Sequence, residues 1–556
     1  MVSNRFFKAA FKAISIGSVT AAILSCSFYQ GMDVDHVALL HESLVKQGPQ
    51  ARADRELALL RTPEDDIKSL KVHTDPKTGR KTIKLKLGDA VLRALAYNTE
   101  IGVAAYQPAI ARQVIISEEA EFDPVLSAYI GYETNDNPVN LAVRIPGRKT
   151  KDAGVGISQR LGTGAEWSVT NTISKIWNSS QADSRTYSND LDIQIIQPLL
   201  RDAGTGVNLA GVRIASLDYE TSLSRFHQEV ERIITEVSTA YYRLIQARGT
   251  VEIYRELLGY AEATYRRVKQ REEIDATIVT IKQAEAAVEQ RIAVLTDARK
   301  ELEDVRDELA RLIPGSNLSL AEDYELIPLE TLNDVKVKID LTDRILTALN
   351  QNPDMEQVRL ALESSDITLE VAENGVLPVL NLSAGTTIHG GSADKHQTWE
   401  DLTQGRYASY FVQLDFEYPL GNRAAESQLA QSRYRKLQEV TRLQDTADKV
   451  TQVVREAARR ANSSYETYLS QKKTVAAYLR QLKGLEDLEN KRESLTPEFL
   501  NLKLSTQESL AIARLAELQT KTTYNTALVD LDRACGTLLK RHHVELALPV
   551  MEEGGP

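Results

Sequence analysis

The sequence predicts a mainly α-helical chain with a β-barrel part, a helix–strand–strand–helix–helix unit written twice. Three observations predict it: an internal repeat at constant offsets, long heptad seams, and a few period-two strands. Composition agrees, because Gly and Pro together are 44 of 556 residues, well below the roughly 12% of average proteins. That excludes collagen-like, Pro-rich and loop-heavy β chains. At about 150 residues per domain the length allows three or four domains. The repeat reduces these to one duplicated architecture. The net charge of -11, from 67 Lys and Arg against 78 Asp and Glu, argues against duplex nucleic acid as a partner. Two cysteines make no disulfide scaffold.

Residues 1–25 are read as an export signal: Arg5, Lys8 and Lys12, then an apolar stretch from Ala13 to Leu24 too short to span a bilayer. The stretch ends Ile23-Leu24-Ser25-Cys26, which resembles a bacterial lipobox and makes Cys26 a lipidated first residue of the mature chain. Two or three acyl chains anchor firmly, at about 0.8 kcal/mol per buried CH₂. Ser27 after the cysteine resembles lipoproteins sorted to the outer membrane. A plain signal with a coincidental cysteine is the alternative. Residues 26–86 are read as an N-terminal extension, and no later apolar run reaches 18 residues.

The first repeat is read as 87–340 and the second as 341–540, with a tail at 541–556. LGDAVLRALAYN (87–98) resembles LTDRILTALNQN (341–352), an offset of 254 that also superposes Pro124-Val125-Leu126 on Pro378-Val379-Leu380. Downstream an offset of 221 pairs Leu191, Ile193, Ile195 and Pro198 with Val412, Leu414, Phe416 and Pro419, and Gly315 with Gly536. The difference is 33 extra residues between 135 and 188 of the first copy.

Each copy opens with a short helix (87–119, 341–373) followed by strands, about 124–198 in the first and 378–419 in the second. Leu191 to Ile195 and Val412 to Tyr418 alternate apolar and polar, which fits a barrel with lipid outside and water inside. The insertion adds a hairpin at 154–174 turning on Gly162-Thr163-Gly164. Tyr129, Tyr132, Trp167, Trp177, Tyr187, Tyr407, Tyr410 and Tyr418 lie in or beside strands; an interfacial girdle and ordinary strand preference both explain them.

Long helices close each copy, about 207–313 and 422–538. From Leu223 to Val268, fourteen consecutive heptad positions are apolar, through Phe226, Val230, Ile233, Val237, Ala240 and Leu244 onward. A looser seam runs from Val440 to Leu485. Extra apolar positions such as Ile234, Tyr241 and Ile245 let one helix touch two neighbours, as a closed tube requires. The helix 207–272 spans about 100 Å at 1.5 Å per residue. Its return, 277–313, matches that length once stacked on 87–119.

With these features the chain resembles the TolC-like outer-membrane efflux family, in its lipoprotein type. The carriers are the duplicated PVL strand starts, QPLLRDAG (197–204), EYPLGNRAA (417–425) and the paired long helices. The resemblance implies a homotrimer whose strands close one outer-membrane β-barrel and whose helices form an α-barrel through the periplasm. It also implies a periplasmic adaptor (membrane fusion) protein and an inner-membrane pump as partners. The tip turns REEIDATIVT (271–280) and ESLTPEFLN (493–501) lack the glycine frequent there in the family. Asp275 and Glu498 are the pore-constriction candidates, as carboxylates that three chains bring close to one axis.

No catalytic, cofactor or metal site emerges. None of the eight histidines sits in HExxH, and His542-His543 are adjacent and share no helix face. Gly204-Thr205-Gly206 mimics a dinucleotide fingerprint, but Leu209 stands where its third glycine belongs. The expectation is a non-enzymatic, passive exit duct of a tripartite efflux or type I secretion system, lipid-anchored in the outer membrane. The alternative is a lipid-anchored structural coiled coil of the periplasm without transport.

Overall fold

The computed structural model describes residues 72–74, 81–135, 148–178, 185–273, 276–314, 324–489, 496–542 and 544. The signal segment, Cys26, most of the 26–86 extension, Asp275 and Gly315 lie outside the described residues. In chain order the elements are β1 (Val72–Thr74), β2 (Lys81–Leu85), α1 (Leu87–Tyr97), α2 (Thr99–Glu119), β3 (Val125–Asn135), β4 (Arg148–Arg160), β5 (Glu166–Asn178), β6 (Arg185–Pro198), α3 (Ala210–Gln270) and α4 (Ile278–Leu312). There follow β7 (Tyr324–Pro328), α5 (Leu341–Gln351), α6 (Pro353–Gly375), β8 (Val379–Ser392), α7 (Lys395–Thr403), β9 (Tyr407–Glu417), α8 (Arg423–Glu489) and α9 (Pro497–Ala534). The chain is mostly helical, and α3 and α8 hold 61 and 67 residues.

Among the described residues two compact units each draw on both sequence repeats: one takes those of 110–219 and 361–440, the other those of 72–109, 220–360 and 441–544. The first is organised by a six-stranded sheet in the order β3-β4-β5-β6-β8-β9, antiparallel throughout. The 154–174 hairpin forms as β4–β5, with Gly164 at φ +87 in its turn. A Cβ at Gly164 would strike the Asp202 carbonyl, so only glycine fits. The sequence pattern shows no helix between the second-copy strands. One forms there, α7, because Asp394 caps it, accepting from the His396 N–H at 3.0 Å.

The second unit is built on packed helices. Ten of the fourteen seam positions on α3 are buried, Val230, Ile233 and Val237 completely. Each such side chain contributes about 1.5–3 kcal/mol of transfer free energy. The seam residues in the Phe226–Leu244 stretch share one core with α1 (Ala90, Val91, Ala94), the end of α4 (Leu309, Leu312) and a small sheet. No sequence pattern announces that sheet: β2 falls in the extension, yet it pairs in parallel with β7, from Lys81–Tyr324 to Leu85–Pro328. Ile83, Leu85 and Leu326 supply its buried face.

The short opening helix of each repeat is two helices, α1–α2 and α5–α6, with the breaks at Asn98 and Asn352. These residues are 254 apart and do the same work. Asn98 Oδ1 accepts from the N–H groups of Glu100 (2.8 Å) and Ile101 (3.3 Å), while its Nδ2 donates to the Leu312 carbonyl at 2.9 Å. Asn352 Oδ1 accepts from the Asp354 N–H at 2.8 Å, and its Nδ2 donates to the Ala534 carbonyl at 3.0 Å. One amide thus caps the next helix and ties it to the end of the returning helix, satisfying orphan groups of both. The helical periodicity continues through both asparagines, which is why it hides the breaks.

Candidate functional site: a two-faced sheet

Residues paired directly across a ladder share a face, so the register sorts every strand side chain. One face carries the rows Leu126-Ile157-Val169-Ile193-Thr386-Tyr410 and Ala128-Val155-Asn171-Leu191-Ile388-Ala408. Val412, Leu414 and Phe416 of β9 continue it. Ile130 is 91% exposed, Val412 77% and Leu126 74%, far more contiguous apolar surface than a face turned to water carries. The other face bears Ser127, Thr170, Thr172, Ser174, Gln194, Thr387, Ser409 and Gln413 with the carboxylates Glu133, Asp152, Asp190, Asp192 and Asp415.

The faces also sort the aromatics. Tyr132, Trp177 and Tyr187 stand on the apolar face near the strand ends remote from the long helices, Trp167 on the same face toward the long-helix end, and Tyr410 within the band. Tyr129 and Tyr407 instead belong to the polar face. A Cβ on Gly154, opposite Tyr129, would strike that ring, so the glycine makes room for it. The same holds for Gly385 beneath Phe411.

On the polar face His389 bridges three strands: Nδ1 lies 2.9 Å from Asp190 Oδ1 and Nε2 3.1 Å from Ser409 Oγ. A carboxylate only accepts, so Nδ1 donates to Asp190, and in the neutral ring Nε2 accepts from the Ser409 hydroxyl. The order is that of a hydrolase triad, but the serine sits within a regular strand rather than at a turn with converging N–H donors. One row on, Thr387 donates to Asp192 at 2.6 Å. These bonds clamp β6, β8 and β9.

Of the site residues expected from sequence, Cys26 and Asp275 lie outside the described residues, and Glu498 is exposed in the first turn of α9. Sequence reasoning missed two buried polar clusters at the same helix ends. Glu489 Oε2 accepts from Lys503 Nζ at 2.6 Å and from Arg267 at 2.7 Å, joining α8, α9 and α3. Arg291 on α4 donates to Gln507 Oε1 at 3.1 Å and to the Leu504 carbonyl at 3.2 Å, and Gln507 reaches Thr264 at 3.3 Å. Burial pulls the Arg291 guanidinium below its ordinary pKa. The signal available was weak: Lys503 and Gln507 recur at i and i+4 on one otherwise apolar helix face.

Residues 345–488 match the family model for outer membrane efflux protein. The chain is 22% identical over 352 residues to outer membrane protein TolC of Salmonella enteritidis, covering 61% of this chain and 67% of that protein. Its fold is similar to that of the CmeC outer membrane channel of Campylobacter jejuni, with a TM-score of 0.58, 16% identity and 81% and 86% of the two chains covered. The MtrE outer membrane channel of Neisseria gonorrhoeae, in its open state, gives a TM-score of 0.59 at 19% identity, covering 82% and 90%. The match across residues 345–488 is to the outer membrane efflux protein family, and the fold of the chain is that of the TolC-like outer-membrane channels.

Proposed function

We propose that the protein is the outer-membrane channel component of a tripartite efflux or type I secretion system, a passive trimeric duct leading from the periplasm to the exterior. The observation that carries the reading is a sheet with one apolar and one polar face that ends, among the described residues, in two edge strands, β3 and β9. An edge eleven residues long is a template for further pairing. Three copies of six strands make eighteen, the size class that encloses an aqueous channel. The apolar faces then meet lipid, and the acidic faces line water and favour cations. A purely structural coiled coil needs no such sheet.

The remaining parts rest on the sequence: the family resemblance implies an adaptor and an inner-membrane pump as partners, the lipobox-like Ile23-Leu24-Ser25-Cys26 implies lipidation of Cys26, and the turns 271–280 and 493–501 put Asp275 and Glu498 near the narrow inner tip. Purified protein in planar bilayers should give stepwise, cation-preferring conductance. Asp275→Asn with Glu498→Gln should lower the cation preference. Absence of conductance overturns the duct; unchanged selectivity removes these two residues from the pore.

A further inference from the structure

We propose that the strand ends remote from the long helices carry a binding surface for the phosphorylated headgroups of membrane lipid, centred on Lys151 and Lys175. The proposal rests on the duct reading for its place in the membrane. Tyr132, Lys151, Lys175 and Tyr187 stand side by side on β3 to β6, one row of the apolar face. The next row outward adds Lys149 opposite Trp177. Lys175 Nζ lies 4.8 Å from the Trp177 ring centre and 5.0 Å from that of Tyr187, and Lys151 Nζ 5.7 Å from that of Tyr132.

Two lysines directly opposite one another repel. Neither makes an ion pair among the described residues, and the nearby carboxylates Asp152 and Asp190 belong to the opposite face. Such a row weakens the sheet unless an anion completes it. Its place on the strands says which anion. On the lysines' own strands the apolar positions Ile157, Val155 and Ala153 of β4 and Val169 and Ile173 of β5 run up to this row. The lysine row is the next one beyond them, and the amphipathic rings of Tyr132, Trp177 and Tyr187 beside it favour the membrane–water boundary. β6 and β9 lead into the long helices from their other ends, so helices in the periplasm place this row in the outer leaflet. The chemistry matched is therefore a phosphate carried on acyl chains in that leaflet.

The test uses the full chain in phosphatidylcholine nanodiscs, with diphosphoryl lipid A or inorganic phosphate as probes, for the wild type and a Lys151→Gln/Lys175→Gln variant. Relief of the repulsion should leave the variant at least as heat-stable as the wild type without lipid A. Lipid A should raise the melting temperature of the wild type, and the variant should bind it at least about tenfold more weakly. Equal lipid A binding by the two proteins overturns the proposal, as does displacement of bound lipid A by millimolar inorganic phosphate. If the wild type fails to insert into neutral nanodiscs, the duct reading falls and this surface with it. Normal insertion with lysine-independent lipid binding removes only the headgroup surface.

Discussion

At the scale of single residues, two asparagines and one arginine shape the helical unit. Asn352→Ala leaves the Ala534 carbonyl and the Asp354 N–H without their partner, and the loss should be about 1–3 kcal/mol. Asn352→Asp, which keeps the cap but loses the donor, should recover part of it in thermal unfolding; equal losses would contradict the double role. Arg232 donates to Glu229 and Glu100 at 2.6 Å each and also engages Glu236. Hydrogen bonds from Arg232, joined at Glu100 by Arg311, hold the Glu100 and Glu229 carboxyls below their ordinary range. A depressed folded pKa gives stability that is fully present above the unfolded value, about 4.3, and lost as pH falls through the folded one. Arg232→Gln should therefore lower the melting temperature at pH 7, and the gap to wild type should close below about pH 4. A gap independent of pH would contradict the ion-pair account. None of these roles is legible in the sequence. A mid-helix Asn or Arg reads as solvated surface until the element it reaches, more than 100 positions away, is known.

At the scale of elements much more is legible. The heptad seam, the hairpin on Gly164 and the period-two strands are local patterns, and local patterns survive folding. The β2–β7 pairing is not, because its partners lie more than 240 residues apart and each holds only five. The sorting of aromatics needs the register: Tyr129 and Tyr132 look equivalent in sequence, yet three positions put them on opposite faces. The α3 seam is inseparable from this packing, since Val237 is wholly buried in the core that also holds Ile83 and Leu85. Val237→Asp puts a carboxylate there with no partner, at a cost of about 3–5 kcal/mol. The variant should lose cooperative unfolding at temperatures where Val237→Ala keeps it. A variant as stable as wild type would show that the seam faces water.

At the scale of the whole molecule, the repeat points to the fold class by itself, because a duplicated unit with alternating strands has few ways to bury its faces. The charge on the polar face is beyond its reach: the acidic residues are scattered along four strands and converge only through the ladder. The assembly proposed for the duct rests on the same sheet. Closure through β3 and β9 requires other copies of the chain, since six strands are too few to enclose a channel. Electron cryo-microscopy of the full chain in lipid nanodiscs tests that most directly. The account predicts a threefold particle with an eighteen-stranded barrel in the bilayer, β9 of each copy paired with β3 of the next. A monomer in the bilayer, or an assembly in which the edges of β3 and β9 stay unpaired, would contradict it.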